Sequence, residues 1–280
     1  MRMERVSNVS VLALLLAAAL VGGDEPKYGA ISVTSEPTGA RAYIEGFLAG
    51  ETPIKVEQLL PGDYRVVVKQ DGHADFVQDL TVAKGQIGPV EAKLAPDPSA
   101  WTSPVRAEDD WTPVLDKDKD RYEKAASKAR LRDYKVLQVS NFLMKSDETV
   151  PPDHLYALLP DLAKQLEKRT RFAKFATNYT KGPSSRWVAT GEDSDEPTLV
   201  LSGVITKYER GNRTTRYLVG FGAGKTRTYC LFRLTDRKTG EVVFERMENG
   251  SISGGLFGGG SSGAMSQLAS DIAKRVDGNW

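Results

Sequence analysis

Gly29-Ala30-Ile31-Ser32-Val33-Thr34-Ser35-Glu36-Pro37-Thr38-Gly39-Ala40-Arg41-Ala42-Tyr43-Ile44-Glu45-Gly46-Phe47 opens the stretch that decides the fold, and the same texture continues to Leu94. Ile31 and Val33 alternate with polar neighbours, as do Ala40, Ala42 and Ile44, then Tyr64, Val66 and Val68, and finally Val90, Ala92 and Leu94. A period of two places one face of each run in a core and the other in water. Between the runs lie Pro37-Thr38-Gly39, Pro61-Gly62, Asp71-Gly72 and Lys84-Gly85. There Gly accepts positive φ and Pro presets the first dihedral of a turn. Short strands at regular spacing with such punctuation predict a small β-sandwich over residues 28–95. So small a core leaves the module only marginally stable by itself.

Upstream, Arg2 and Arg5 precede the apolar run from Val11 to Val21. That run is too short for a bilayer of about 30 Å but suits the apolar centre of a signal peptide. Val21 and Gly23 supply the small residues before a cut ahead of Asp24, so residues 1–23 are expected to direct export. No Cys lies near the cut to take a lipid, and no later stretch reaches transmembrane length. With 38 basic against 37 acidic residues the net charge is +1, which gives no field to draw in nucleic acid. A single thiol, Cys230, closes no intramolecular disulfide, so burial must hold the fold together.

Downstream, residues 96–133 read as a linker: Pro96, Pro98, Pro104 and Pro113 fall among Asp, Ser and Thr with no apolar period, and one or both of Trp101 and Trp111 are expected to dock on a domain face. Residues 134–280 then form a second domain. Lys135 to Phe142 reads as a strand, and Leu155, Leu158, Leu159, Leu162 and Leu166 recur at helical spacing after Pro151-Pro152-Asp153, with Asp153 as cap. Pro160 is expected to kink or restart that helix. Phe172 to Phe175 is a short strand, followed by strands at Thr198–Arg210, Thr214–Phe221, Lys225–Asp236 and Glu241–Ser251. Their short connections favour consecutive antiparallel pairing. A closing helix over residues 264–276 carries Met265, Leu268, Ala269, Ile272, Ala273 and Val276 as one stripe. The expected fold class is mainly β plus α+β: a sandwich, a linker, then an antiparallel sheet with two helices packed on it.

Glu36-Pro37-Thr38-Gly39-Ala40, Tyr43-Ile44-Glu45-Gly46, Gly50-Glu51-Thr52-Pro53, Leu60-Pro61-Gly62-Asp63-Tyr64 and Lys69-Gln70-Asp71-Gly72-His73 together closely resemble the bacterial PEGA domain. In its signature tetrapeptide one letter differs, as Pro37-Thr38-Gly39-Ala40. The resemblance implies a non-catalytic extracytoplasmic module that serves as a spacer or binds envelope polymers. From Lys135 to Val276 the chain resembles an uncharacterised bacterial envelope domain, through Gly203-Val204-Ile205-Thr206-Lys207-Tyr208, Arg216-Tyr217, Gly220-Phe221-Gly222-Ala223-Gly224, Asp236 and Thr239-Gly240-Glu241. Its strand-helix opening and Gly-rich approach to the last helix are also similar in layout to the periplasmic domain of curli-secretion lipoproteins, without their lipid-anchor Cys.

Asp116-Lys117-Asp118-Lys119-Asp120 begins like a calcium loop, but Arg121 stands where Gly is needed and Ser127 where a bidentate Glu is needed. Gly220 to Thr226 imitates a phosphate loop with one residue too few before Gly224-Lys225, and a strand rather than a helix follows. Gly254 to Gly263 does run into a helix, but without fingerprint spacing; it suits a connection or a close-contact surface for self-association. His73, His154 and Cys230 lie in three different elements, which argues against zinc or a nucleophile with its base. Cys230 reads as a core thiol.

No catalytic residue, metal ligand or cofactor follows from the sequence. The candidate binding residues are Tyr43 and Phe47, which beside Gly46 offer a stacking surface for sugar or protein or else cap the core, with Gly222, Gly224, Gly258 and Gly259 in the glycine-rich loops. The expected function is a non-enzymatic exported envelope protein whose partner is an envelope polymer or protein, with no nucleic acid and with peripheral membrane association allowed. The alternatives are a component of an envelope transport or secretion assembly and, behind it, a carboxylate-based hydrolase.

Overall fold

The computed structural model describes residues 28–97, 99–100, 131–144, 150–177, 184–188, 196–210, 226–252 and 262–278. Residues 1–27, most of the linker with both of its tryptophans, and the loops holding Gly222, Gly224, Gly258 and Gly259 lie outside the described residues.

The first module is built from β1 (Gly29–Glu36), β2 (Arg41–Ile44), β3 (Phe47–Glu51), β4 (Ile54–Leu59), β5 (Gly62–Lys69), β6 (Phe76–Val82) and β7 (Ile87–Lys93). They form a three-stranded sheet in the order β4-β1-β7 and a four-stranded sheet in the order β3-β2-β5-β6. Most neighbours are antiparallel, but β1 and β7 run parallel in unbroken register from Ala30 opposite Ile87 to Glu36 opposite Lys93. The alternating residues Ile31, Val33, Ala42, Ile44, Tyr64, Val66, Val68 and Val90 meet in the core between the sheets. Thr52 fastens the Pro37-Thr38-Gly39-Ala40 turn: its Oγ1 accepts from the Ala40 amide at 3.0 Å and its own amide donates to the Ala40 carbonyl at 2.8 Å. The module reaches slightly past its predicted end, because the Asp97 amide donates to Gly72 O at 2.8 Å and the Gly72 amide to Ala100 O at 3.1 Å.

The second domain contributes β8 (Val136–Met144), α1 (Pro152–Arg169), β9 (Lys174–Ala176), β10 (Trp187–Val188), β11 (Thr198–Glu209), β12 (Thr226–Asp236), β13 (Val242–Ile252) and α2 (Ser262–Gly278). One six-stranded sheet runs in the order β10-β9-β8-β11-β12-β13. It is mixed rather than purely antiparallel. The β11-β12-β13 meander is antiparallel, as short turns demand. By contrast α1 carries the chain back so that β9 lies parallel to β8, and β11 is parallel to β8 on its other side. β11 pairs directly with β12; the stretch expected to form a strand at Thr214–Phe221 lies outside the described residues.

Helix α1 runs unbroken through Pro160 from Pro152 to Arg169, so the expected restart does not occur. Pro160 lies on the exposed side of the helix. The N-terminal cap is Pro151 rather than Asp153, with Pro152 in the first turn, where the missing amide costs nothing. α1 and α2 pack together on one face of the sheet through Leu155, Leu158, Leu162, Leu268, Ile272 and Val276. Gly250 of β13 permits this close approach: a Cβ there would stand 2.2 Å from the Ala264 carbonyl oxygen.

Burial along β12 is nearly continuous from Thr228 to Leu234. A half-wet strand would alternate, so this sheet is covered on both faces. Cys230, Phe232 and Leu234 enter the core under the helices, whereas Tyr229 and Leu231 join Leu143, Val204 and Met247 in a core shared with the first module. The β-sandwich is therefore not a bead on a string; it lies packed on the sheet face opposite the helices.

Candidate interaction site at the domain boundary

The β2–β3 hairpin delivers the polar part of this boundary. Its turn is Glu45-Gly46, with φ of 52° and 82°, the left-handed pair that a two-residue hairpin requires. Gly adopts this freely; a glutamate there is uncommon and marks a position held by its surroundings. The Glu45 amide donates to Arg65 O at 3.0 Å, and Arg65 N returns a bond to Glu45 Oε1 at 2.6 Å, anchoring the turn to β5.

From the other side, β8 presents Ser140, whose Oγ donates to Glu45 Oε2 across the boundary. β12 presents Arg233, only 7% exposed. Arg233 and Glu245 are directly opposed on β12 and β13 and form a buried ion pair. The remaining face of the guanidinium turns to the hairpin: Nη1 donates to Gly46 O at 3.0 Å, and the guanidinium carbon lies 4.5 Å from the centre of the Phe47 ring, inside cation–π range. Burial pushes the Glu45 carboxyl up to about 7, against the smaller opposing pull of the Ser140 and Arg65 hydrogen bonds.

Of the residues expected to bind a partner, Tyr43 is partly buried on β2 and Phe47 is 1% exposed. Phe47 therefore offers no free stacking face; it fills the shared core and carries Arg233. Gly222, Gly224, Gly258 and Gly259 lie outside the described residues. Sequence reasoning missed Glu45, Ser140, Arg233 and Glu245. The available signals were a charged residue at a hairpin position that favours Asn or Gly, and an arginine in the apolar run Leu231-Phe232-Arg233-Leu234.

Elsewhere, Cys230 is fully buried and burial pushes its thiol well above the ordinary range, so it is chemically quiet. His154 is buried with Nδ1 3.0 Å from the Tyr208 hydroxyl, and His73 is tied by Nδ1 to Asp71 O at 3.0 Å. A cleft of about 410 Å³ is lined by Glu248, Asn249, Asp271, Lys274 and Arg275. Its charges are mutually engaged: Glu248 Oε1 accepts from Arg246 at 2.9 Å and from Arg275 at 2.6 Å, while Asp271 pairs with Lys274 at 2.8 Å. Among the described residues no group of three His, Cys, Asp or Glu side chains is placed to hold a metal. No helix among them is long and apolar enough to cross a membrane.

The geometry defines a two-domain protein: a β-sandwich module seated on the open face of a mixed, helix-backed sheet. Residues 28–97 match the PEGA domain family, and residues 144–255 match a domain of unknown function, DUF4410. No curated protein matches the chain. Among solved structures, the PelC dodecamer from Paraburkholderia phytofirmans is similar at 14% identity over 54% of this chain and 90% of that one, with a TM-score of 0.35. The hypothetical protein CT253 from Chlamydia trachomatis is similar at 14% identity over 52% and 97%, with a TM-score of 0.34. The lipoprotein GNA1162 from Neisseria meningitidis is similar at 11% identity over 51% and 98%, with a TM-score of 0.31.

Proposed function

We propose that this chain is a non-enzymatic, exported cell-envelope protein in which the PEGA module and the α+β domain, docked together, present one binding surface. The observation that carries the reading is the seating of a PEGA module on β8, β11, β12 and β13 of the sheet, through Ile44, Phe47, Leu143, Val204, Leu231 and Met247. A spacer would keep its neighbour at a distance; this module shares its core. The partner it serves is an envelope polymer or protein, recognised by the outer surfaces of the joined pair.

Fractionation tests the address: the reading expects a chain shortened at its N-terminus in the periplasmic or envelope fraction, and an intact cytosolic chain would overturn it. Pull-down from envelope extract tests the joint binding surface. Full-length chain is expected to retain a partner that is lost on Arg233→Ala as well as on removal of the module. Retention by either domain alone would contradict joint action.

A second reading, a subunit of an envelope transport or secretion assembly, is favoured by β13. Among the described residues it is the last strand of its sheet, with β12 as its neighbour, and a long unpaired strand edge is a template for pairing with another chain. Sedimentation showing monomer at all concentrations, with and without membranes, would exclude it.

A further inference from the structure

The domain boundary contains a carboxyl that makes no direct ion pair. Among the described residues Glu45 has no ion-pair partner. Its Oε2 meets the neutral Ser140 hydroxyl of β8 and its Oε1 the Arg65 amide of β5. The Arg65 guanidinium lies 3.7 Å from Asp79 of β6; its charge favours ionisation of Glu45, and the Asp79 charge opposes it slightly more strongly. Arg233 of β12 is committed to Glu245 of β13, to the Gly46 carbonyl and to the Phe47 ring. A protonated Glu45 satisfies this setting fully: Oε2–H donates to Ser140 Oγ, and Oε1 still accepts from Arg65 N. An ionised Glu45 keeps two neutral donors but, half-buried at the boundary, gives up part of its hydration, a cost that opening to water would remove.

We infer that the Glu45–Ser140 contact is a proton-sensitive latch: the module lies closed on the six-stranded sheet while Glu45 keeps its proton and loosens from the sheet when that proton leaves. Burial lifts the Glu45 carboxyl to about 7, which sets the change near neutrality. Loosening uncovers the apolar face made by Leu143, Val204, Tyr229, Leu231 and Met247. The latch depends on the docked arrangement alone and not on where the protein resides, so it stands or falls separately from the envelope reading.

Met247, 2% exposed and within the shared core, reports opening. The full chain carrying Met247→Cys is treated with a small maleimide at about pH 5.5 and about pH 8, with rates normalised to a free-cysteine peptide at each pH. The unsubstituted chain measures the background from buried Cys230. With Glu45 present, normalised labelling is expected to be at least about tenfold faster at the higher pH; with Glu45→Gln added, the two rates should agree. Equal pH dependence with Glu and Gln, or none with Glu, overturns the latch. Should Met247→Cys fail to fold by circular dichroism, small-angle scattering of the unsubstituted chain decides: a larger radius of gyration at the higher pH supports opening, and an unchanged radius refutes it.

Discussion

Arg233 and Phe47 meet face to ring, guanidinium carbon 4.5 Å from ring centre, although one belongs to the second sheet and the other to the first module. The same guanidinium closes a cross-strand ion pair with Glu245 and bonds the Gly46 carbonyl. Removing it takes the ion-pair partner away from the buried Glu245 carboxylate. Arg233→Ala is expected to cost about 3–5 kcal/mol in urea denaturation, whereas the paired change Arg233→Met with Glu245→Leu should cost far less, because no lone charge remains. Equal losses for the two would show that the ion pair is not what Arg233 supplies.

Glu45 gives stability a definite pH sign. Its folded-state value of about 7 exceeds the ordinary 4.5, so its contribution is fully present below about pH 4.5 and is lost as pH rises through about 7. Glu45→Gln should match the parent in acid and exceed it by about 2 kcal/mol at pH 8, read as the difference between the two unfolding free energies across that window. A difference that grows toward acid would contradict the assignment.

Deleting residues 24–97 removes the cover from Val204, Tyr229, Leu231 and Met247. The remaining domain is expected to bind an apolar dye strongly and to associate, since contiguous exposed apolar patches of several hundred Å² drive association. A soluble, dye-silent monomer would mean that the face needs no cover.

Gly250→Ala forces a methyl against the Ala264 carbonyl and Leu268, and should cost about 1–3 kcal/mol as α2 is pushed off the sheet. Gly240, with open space around an added Cβ but a φ of 73°, should lose only about 1 kcal/mol on the same change, from backbone strain. Thermal unfolding of the two variants compares the effects; a greater loss at Gly240 would argue against tight helix seating.

Local patterns revealed the elements because they are set by neighbours in the chain. Ile31/Val33 and Tyr64/Val66/Val68 alternate, so the sandwich was readable; Leu155 to Leu166 and Met265 to Val276 keep helical spacing, so both helices were too. Pro160 misled because its penalty was weighed without knowing that it would lie on the exposed side of a helix fixed elsewhere by packing. Leu199 to Ile205 and Tyr229 to Leu234 lack a wet face, which already signalled cover on two sides. What supplies the second cover is a pairing of residues up to 187 positions apart, as Arg233 with Gly46, and no periodicity encodes it. The mixed sheet escaped for a similar reason: turn lengths fix neighbours in sequence, but β8 against β11 is a long-range choice. The role of the carboxyl at the hairpin tip escaped because its partner, Ser140, is 95 positions away.

The parallel pairing of β1 and β7 has a mechanical consequence. The chain enters the module at the start of one strand and leaves at the end of the other, and because the strands run the same way these points lie at opposite ends of the pair. Tension between residues 28 and 97 therefore loads the whole ladder in shear, so its bonds resist together instead of unzipping singly. Single-molecule pulling along that axis should meet a higher rupture force than pulling across the β2–β3 hairpin, which makes the first module suited to a tether under strain.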